Sequence, residues 1–279
     1  MMNKYKRRPP NFSLIFGTAL VGLVVIMWLL SYICMPHDPT AMNMSDAFLR
    51  AGENPAYRLG TDNFGRDILS RLMYGSRNVL KVGVVSVGLG CFLGTAIGAI
   101  SGIWKGPVAA VFMRVIDGLM AFPGILLSLM LVTLVGKGSK GAIIAIMVFM
   151  IAPFARLVYS MILDNQGRLF IKAAKSHGVS NLRLLFSHYL PILLPRLITQ
   201  YTSSIGAAIM IETSLSFLGQ GIQPPFASWG LMLNEARQFF LQYPYLAVAP
   251  GIAIAITVLG FNLLGDGLND TLISRRSHQ

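Results

Sequence analysis

The stretch FIKAAKSHGVSNLRLLFSHYLPILLP, residues 170–195, is polar and basic, and it separates two strongly apolar runs. Ala174 and Gly178 lie four residues apart, so they fall on one face of a helix. Gly178 is suited to end that helix with a positive φ, because glycine has no Cβ. Pro191 fits the first turn of a following helix, where no N–H is needed. The stretch therefore predicts a short helix, a turn, a second short helix and re-entry into an apolar helix.

The composition of the whole chain is that of a membrane protein. Hydrophobic residues make up 54% of the 279 residues and charged residues only 12%, and the mean hydropathy is +0.62. Ordinary globular domains carry about 25% charged residues. The net charge is +12, but the sequence has no basic stripe interleaved with aromatic residues. We therefore interpret the basic residues as a signal of membrane topology and expect no nucleic-acid partner. The sequence predicts an all-α polytopic membrane protein.

Motifs that carry bond-making chemistry are absent from the sequence. There is no HExxH zinc motif, CxxC pair, nucleophile elbow or P-loop. The four histidines are scattered, and Cys34 and Cys91 lie in or beside apolar runs. We therefore expect no catalytic residue, no metal site and no cofactor bound by this chain, and we do not expect it to be an enzyme.

Apolar runs and basic ends together predict six membrane-spanning helices with both termini in the cytoplasm. Lys4, Lys6, Arg7 and Arg8 precede the first run, and Arg275 and Arg276 follow the last; such basic ends stay inside. The predicted division begins with a cytoplasmic tail at 1–11, a first span at 12–35 and an extracytoplasmic loop with an interfacial helix at 36–81. A core of five spans at 82–270 and a cytoplasmic tail at 271–279 follow. The core contains a cytoplasmic coupling loop at 165–189 and an extracytoplasmic loop at 212–245.

The segment 59–77 predicts a helix that lies in the outer interface and does not cross the membrane. Ile68, Leu69, Leu72 and Met73 would form an apolar stripe opposite polar residues. Asp67 and Arg71 are spaced to pair on a solvated face. The second span, 82–103, follows, and its glycines repeat every four residues, which predicts close packing against a partner helix; they are Gly90, Gly94, Gly98 and Gly102.

Three charged residues in or beside predicted spans are candidates for the translocation pathway or for buried charge. Arg114 and Asp117 lie one turn apart in the third span, which Pro123 is expected to kink. They either neutralise one another near the inner interface or act in transport. Glu212 is expected at the outer end of the fifth span.

The 170–195 stretch resembles the cytoplasmic loop named for its Glu-Ala-Ala sequence in the permease subunits of bacterial ABC importers. In that family the loop is a coupling helix that docks into a cleft of the ATPase subunit. Lys172 stands where the usual pattern has Glu, so a salt bridge made by that carboxylate cannot be assumed. The positions that the resemblance assigns to ATPase coupling are Lys172, Ala173, Ala174, His177, Gly178, Leu190 and Pro191. An amphipathic helix on the membrane surface is the alternative interpretation of the same stretch.

Two further segments resemble the dipeptide, oligopeptide and nickel branch of these permeases. One is LGTDNFGRDILSRLMYGSR, residues 59–77, and the other is ETSLSFLGQGIQPPFASWGLML, residues 212–233. The residues in the second that carry the resemblance are Ser216, Phe217, Gly219, Pro224, Pro225 and Trp229. A loop rich in Gly, Pro and aromatic residues is fixed by turns. It would either reach a docked protein or plug the outer ends of the helices.

The resemblance implies a type I ABC importer permease fold in a bacterial cytoplasmic membrane. The implied partners are a homologous second permease subunit, two ATPase subunits that bind ATP and Mg, an extracytoplasmic substrate-binding protein and the lipid bilayer. The implied cargo is a peptide, nickel or another metal chelate. An autonomous ion-coupled carrier of small polar solutes is the alternative, because Arg114, Asp117 and Pro123 also fit such a protein.

Overall fold

The computed structural model describes residues 11–104 and 106–274, so the basic residues at 4–8 and 275–276 lie outside the described part. That part is helical, with one isolated antiparallel bridge between Thr61 and Asp67. Its helices are α1 (Phe12–Ile33), α2 (Ile68–Ile103), α3 (Pro107–Met120), α4 (Gly124–Val135), α5 (Ser139–Asn165), α6 (Leu169–Ser176), α7 (Asn181–Leu184), α8 (Leu190–Phe217), α9 (Trp229–Arg237) and α10 (Tyr245–Ser274), with a short 3-10 turn at Met44–Asp46 and a π-helical turn at Leu185–Tyr189.

Within the described residues, four helices are long and apolar enough to cross a membrane: α1, α2, α5 and α10. The bent pair α3 and α4 makes a fifth if it counts as one span. The helix α8 has 28 residues, but its middle carries the polar run QYTSS at 200–204, which lowers its hydropathy. The six spans and the inside position of both termini stay predictions.

The helix α2 corrects the predicted boundary between loop and span. It is one helix of 36 residues, about 54 Å long at 1.5 Å per residue, whereas the sequence predicts an interfacial helix within 59–77 and a separate span from 82. A bilayer core is about 30 Å thick, so the first turns of α2 project beyond it. They pack inside the protein: Ser70 and Arg71 are 0% and 1% exposed.

The predicted kink at Pro123 is a break between two helices. The axes of α3 and α4 meet at 101° across Ala121, Phe122 and Pro123. Proline has no N–H and disfavours helical geometry in the residue before it, so α3 ends at Met120 and α4 begins after Pro123.

The predicted partner of the glycine ridge is α5. A Cβ built on Gly94 would lie 2.5 Å from the carbonyl oxygen of Ile151 and 2.7 Å from the Cβ of Phe154. Gly90, Gly98 and Gly102 meet α5 in the same way, at Met150, Ala155 and Ile162. Glycine at these four positions lets the two backbones touch, which makes α2 and α5 the central pair of the bundle.

We expect Gly94→Leu to separate α2 from α5 and to lower the yield of folded protein. Overpacking of a closed interface costs about 1–3 kcal/mol and sometimes more, and here one obstacle is backbone. The matched control is Gly88→Leu in the same helix, because a Cβ there meets only the hydroxyl of Tyr201, at 3.8 Å. Size-exclusion profiles and melting temperatures in detergent compare the two, and equal profiles would contradict the packing argument.

The helix α1 lies at the edge of the bundle against α10 and α2. Asn11 caps α1 by accepting a hydrogen bond from the N–H of Leu14, and its side-chain amide donates to the carbonyl of Gly267 at 2.9 Å. Because glycine has no side chain, Gly260 and Gly267 let α10 approach α1 closely, at Val21 and Leu14. Most of α1 is otherwise uncovered by the rest of the chain, since only Gly17, Val24 and Ser31 are buried.

Candidate functional site

Residues 165–189, to which the family resemblance assigns ATPase coupling and which we call the coupling segment, have the backbone course that the sequence predicts. The helix α6 ends at Ser176, and Gly178 has a φ of +72°. The N–H groups of Gly178 and Val179 donate to the carbonyls of Lys175 and Ala174, so glycine closes the helix as expected. Ser180 then caps α7, and Pro191 lies in the first turn of α8. The predicted order of a helix, a turn, a second short helix and a following long helix is confirmed.

One face of the coupling segment packs onto the protein itself. Ile171, Leu184 and Tyr189 are at most 1% exposed, and Ala174 is 8% exposed. Ala174 and Gly178 therefore do not form one exposed small-residue face, because Ala174 turns inward. Gly178 is exposed, and a Cβ built on it would meet nothing within 4 Å.

The other face of the coupling segment is basic and apolar. The range 165–189 contains four Lys or Arg residues and no Asp or Glu, and Arg168, Lys172, Lys175 and Arg183 are all exposed. Ala173 and His177 are exposed between them, Leu190 is half-buried and Pro191 is exposed. Large apolar side chains accompany the charges: Leu169, Leu182 and Phe186 are 83%, 61% and 62% exposed. This face suits a surface that is apolar and negatively charged.

The coupling segment is tied to the end of α2. The side-chain amide of Gln166 donates to the carbonyl oxygen of Gly102 at 2.7 Å. That carbonyl belongs to the last turn of α2, where carbonyls have no partner within the helix. The contact fixes the start of the segment to the central helix pair.

At the opposite end of the bundle, residues 34–67 and 218–244 fold together into a compact surface that we call the platform. At its centre Asp62, Arg66 and Arg71 are buried, and they form a cluster of four charges with the partly exposed Glu235. The Nε of Arg66 lies 2.6 Å from Asp62, and the second guanidinium nitrogens of Arg66 and Arg71 lie 3.0 and 2.7 Å from Glu235. Arg71 also donates to Asp62. Two positive and two negative charges balance, so the cluster holds the loop at 59–67 against α9.

The predicted pairing of Asp67 with Arg71 on a solvated face is wrong. Asp67 is 2% exposed and caps α2, accepting hydrogen bonds from the N–H and the hydroxyl of Ser70 at 2.9 and 2.6 Å. His37 approaches the same carboxylate at 3.5 Å. Because Asp67 caps the helix, its carboxylate points at the N-terminus of α2 and not at Arg71. Arg71 forms its salt bridges with Asp62 and Glu235 instead.

The loop after α8 is anchored at both of its ends. The hydroxyl of Ser216 donates to Glu212 at 2.7 Å and accepts from the N–H of Ile222 at 3.0 Å. Trp229 is fully buried, and its indole N–H donates to the carbonyl of Leu72 at 3.0 Å. Gly219 turns the chain with a φ of +73°, and Phe217 is half-buried beside it. These contacts hold both ends of the loop against the ends of α8 and α2.

The tip of the same loop is exposed. Pro224, Pro225 and Phe226 are open to solvent, and the ring of Phe226 stacks over Tyr74 with 6.4 Å between centroids. A cavity of about 580 Å³ lies between this tip and the segment Met35 to Thr40. The ends of the loop thus pack on the bundle, while its tip is exposed.

The structure does not bring the three candidate charges together. Asp117 pairs with Arg156 of α5 at 3.2 Å and not with Arg114, and both partners are more than two-fifths exposed. Arg114 is exposed. Glu212 lies within α8, not at its outer end, and is fully buried. Exposed pairs contribute about 0–1 kcal/mol, so the Arg156 contact orients the surface of the α3–α5 pair more than it stabilises it.

Sequence reasoning did not single out Glu235, which closes the charge cluster. The signal available was one acidic residue at the end of the mainly apolar run WGLMLNEA at 229–236, since an acid on a largely buried helix needs a cation nearby. Its partners lie more than 160 residues away along the chain, and no spacing rule connects them.

The family model of the binding-protein-dependent transport system inner membrane component matches residues 94–278. That range contains α3 to α10, the coupling segment and the loop after α8.

Two curated relatives align with nearly the whole chain. The glutathione transport system permease protein GsiD of Pectobacterium atrosepticum is 41% identical over 92% of this chain and 84% of the relative. The dipeptide transport system permease protein DppC of Haemophilus influenzae is 38% identical over 94% of this chain and 90% of the relative.

A solved structure shares the fold. A chain of the MetNI methionine ABC transporter, solved in inward-facing conformations, superposes with a TM-score of 0.61 at 18% identity, covering 72% of this chain and 95% of that one. At this identity the likeness concerns the arrangement of helices alone.

Proposed function

The chain belongs to the family of binding-protein-dependent transport system inner membrane components, as a multi-pass cytoplasmic-membrane permease of the peptide branch of ABC importers, and from this premise we propose that it forms half of a peptide pathway driven by separate ATPase subunits. The observation that carries the proposal is the coupling segment: an exposed basic and apolar face, ordered by Gly178, at the end of the bundle opposite the platform.

We place the coupling segment in the cytoplasm, against an ATPase subunit. Four cations without an acidic residue favour an acidic cleft, and Leu182 and Phe186 supply apolar anchors for it. Lys172 is exposed where the family pattern has Glu, so we assign it to the partner-facing surface. The membrane surface is the alternative contact for the same face, and the experiment below separates the two.

The topology follows from this placement. With the coupling segment inside, α8 is the fifth of six spans and both termini are cytoplasmic, in accordance with the basic residues at the two ends. The platform then faces outward, where the tip Pro224, Pro225 and Phe226 is available to an extracytoplasmic substrate-binding protein.

We propose that motion passes through the coupling segment to the helices that flank it. Closure of two ATPase subunits would displace α6 and α7, and the flanking helices α5 and α8 would rock between inward and outward access. ATP and Mg would be bound by those subunits. A homologous second permease would complete the pathway, because one chain of this fold supplies only half.

Short peptides are the proposed cargo. The relatives named above are permeases of dipeptide and glutathione systems, and glutathione is itself a peptide. Nickel and other metal chelates are the second candidate, because the 59–77 motif resembles both parts of the branch.

The proposal is tested by purifying the tagged chain from its native membrane in mild detergent and reconstituting what co-purifies. We expect two ATPases and a second permease, ATP-dependent uptake of labelled dipeptides once the binding protein is added, and no uptake of ⁶³Ni complexes. Nickel uptake without peptide uptake would overturn the proposal that the cargo is a peptide. A chain that purifies alone and transports without ATP would overturn the importer in favour of an autonomous carrier.

A further inference from the structure

A cavity of about 650 Å³ opens on the side of the bundle between α1 and α2. Arg77 and Lys81 line it together with the aromatic side chains of Trp28, Tyr32 and Tyr74. Its remaining walls are mainly aliphatic and include Val84 and Val85, each 40% exposed. The cavity thus has a basic and aromatic end and an apolar end, and neither the fold nor the transport proposal uses it.

The depth of the cavity in the membrane follows from α1. That helix has 22 residues, about 33 Å at 1.5 Å per residue, which matches the hydrocarbon core of a bilayer. Its last residue, Ile33, therefore marks the boundary on the platform side. The guanidinium of Arg77 donates to the hydroxyl and the carbonyl of Ser31, so it lies within one turn of that boundary. Aromatic residues concentrate at this level of a membrane protein.

The basic end of the cavity holds uncompensated positive charge. Among the residues that the structure describes, no carboxylate lies within 4 Å of Arg77 or Lys81. Arg77 is fixed by Ser31 and by the faces of Tyr32 and Tyr74, 3.9 and 5.4 Å from the ring centroids. Lys81 is one turn deeper and exposed, and a lysine stem is long enough to bring its ammonium to the interface.

We propose that this cavity binds an anionic phospholipid of the leaflet on the platform side, with the headgroup phosphate at Arg77 and Lys81 and an acyl chain along Val84 and Val85. Charge complementarity selects the headgroup, because two cations without a carboxylate attract a net negative headgroup and repel the amine of a zwitterionic one. The aliphatic walls continue from Arg77 to Val85 for about 12 Å along α2, in the direction that an acyl chain takes. The inference rests on the membrane location alone and not on the transported cargo.

The test measures the melting temperature of the purified complex in detergent against added dioleoylphosphatidylglycerol, with dioleoylphosphatidylcholine and inorganic phosphate as comparison ligands. The variant is Arg77→Gln with Lys81→Gln. The matched control is Lys137→Gln with Lys140→Gln, which removes the same charge at the same end of the bundle, away from the cavity.

We expect phosphatidylglycerol to stabilise the wild type and the control but not the cavity variant. Because each cation near an anionic headgroup contributes about a fivefold factor in affinity, the variant, which lacks two, should bind about 25-fold more weakly. Equal stabilisation by phosphatidylcholine, stabilisation by free phosphate alone, or an unchanged response of the cavity variant would overturn the proposal. So would a crosslink from Val85→Cys to the second permease, since that subunit would then cover the cavity.

Discussion

Arg71→Met should lower the stability of the protein by about 3–5 kcal/mol, the largest loss expected from any single side chain of the charge cluster. Arg71 is 1% exposed, and its guanidinium bridges Asp62 to Glu235. Methionine preserves much of the volume and removes the charge. The buried carboxylate of Asp62 and the partly exposed one of Glu235 are then left with Arg66 as their one remaining partner in the cluster, and an uncompensated buried charge is far more expensive than a missing salt bridge.

A second substitution separates charge imbalance from lost packing. Adding Glu235→Gln to Arg71→Met removes one charge of each sign and leaves the pair of Arg66 with Asp62, 2.6 Å apart. We expect the double variant to be more stable than Arg71→Met alone, a coupling that a double-mutant cycle measures. Arg58→Met, at an exposed arginine of the same loop, is the control and should change little. Additive losses in the cycle would show that the cluster does not act as a unit.

Gly178→Val should reduce transport at least tenfold while the complex still assembles and still hydrolyses ATP. Gly178 has a φ of +72°, a conformation that a β-branched residue adopts only with strain. The backbone strain costs about 1–2 kcal/mol, and we expect the turn between α6 and α7 to shift in order to relieve it. A shifted turn misplaces Lys175 and Arg183 on the face that we assign to the ATPase.

The structure supplies two controls for Gly178→Val. Asparagine tolerates a positive φ, and a Cβ at Gly178 meets nothing within 4 Å in this chain, so Gly178→Asn should keep most of the transport. Gly167→Val places the same side chain in the same segment at a glycine with equally open surroundings and no positive φ. Uptake and ATPase rates are measured together in proteoliposomes. Normal uptake by Gly178→Val would refute the role of this turn.

Local chemistry made the course of the coupling segment predictable from the sequence. Gly178 and Pro191 each have one conformational role that suits their position, and the structure places both in that role. The close packing of α2 was predictable in the same way, because four glycines on one helix face allow another helix to approach closely. The structure shows that this helix is α5.

The errors arose where distant parts of the chain decide the outcome. A local spacing rule pairs Asp67 with Arg71, but the partners of Arg71 come from the loop before α2 and from α9. The polar first turns of α2 were predicted to face solvent, because the sequence does not reveal Glu235 as the counter-ion of Arg71. In the same way, Ala174 looked free for a partner although the body of the protein covers it.

The length of α2 has a consequence for communication across the membrane. Arg71 in the buried charge cluster and Gly102 beside Gln166 belong to one uninterrupted helix, and the two positions are about 46 Å apart along its axis. A rigid rod of that length converts a tilt of about 10° at one end into a displacement of about 8 Å at the other. Any event that changes the angle of α2 at the end beside the coupling segment is therefore registered mechanically at the charge cluster, without a relay of intermediate contacts.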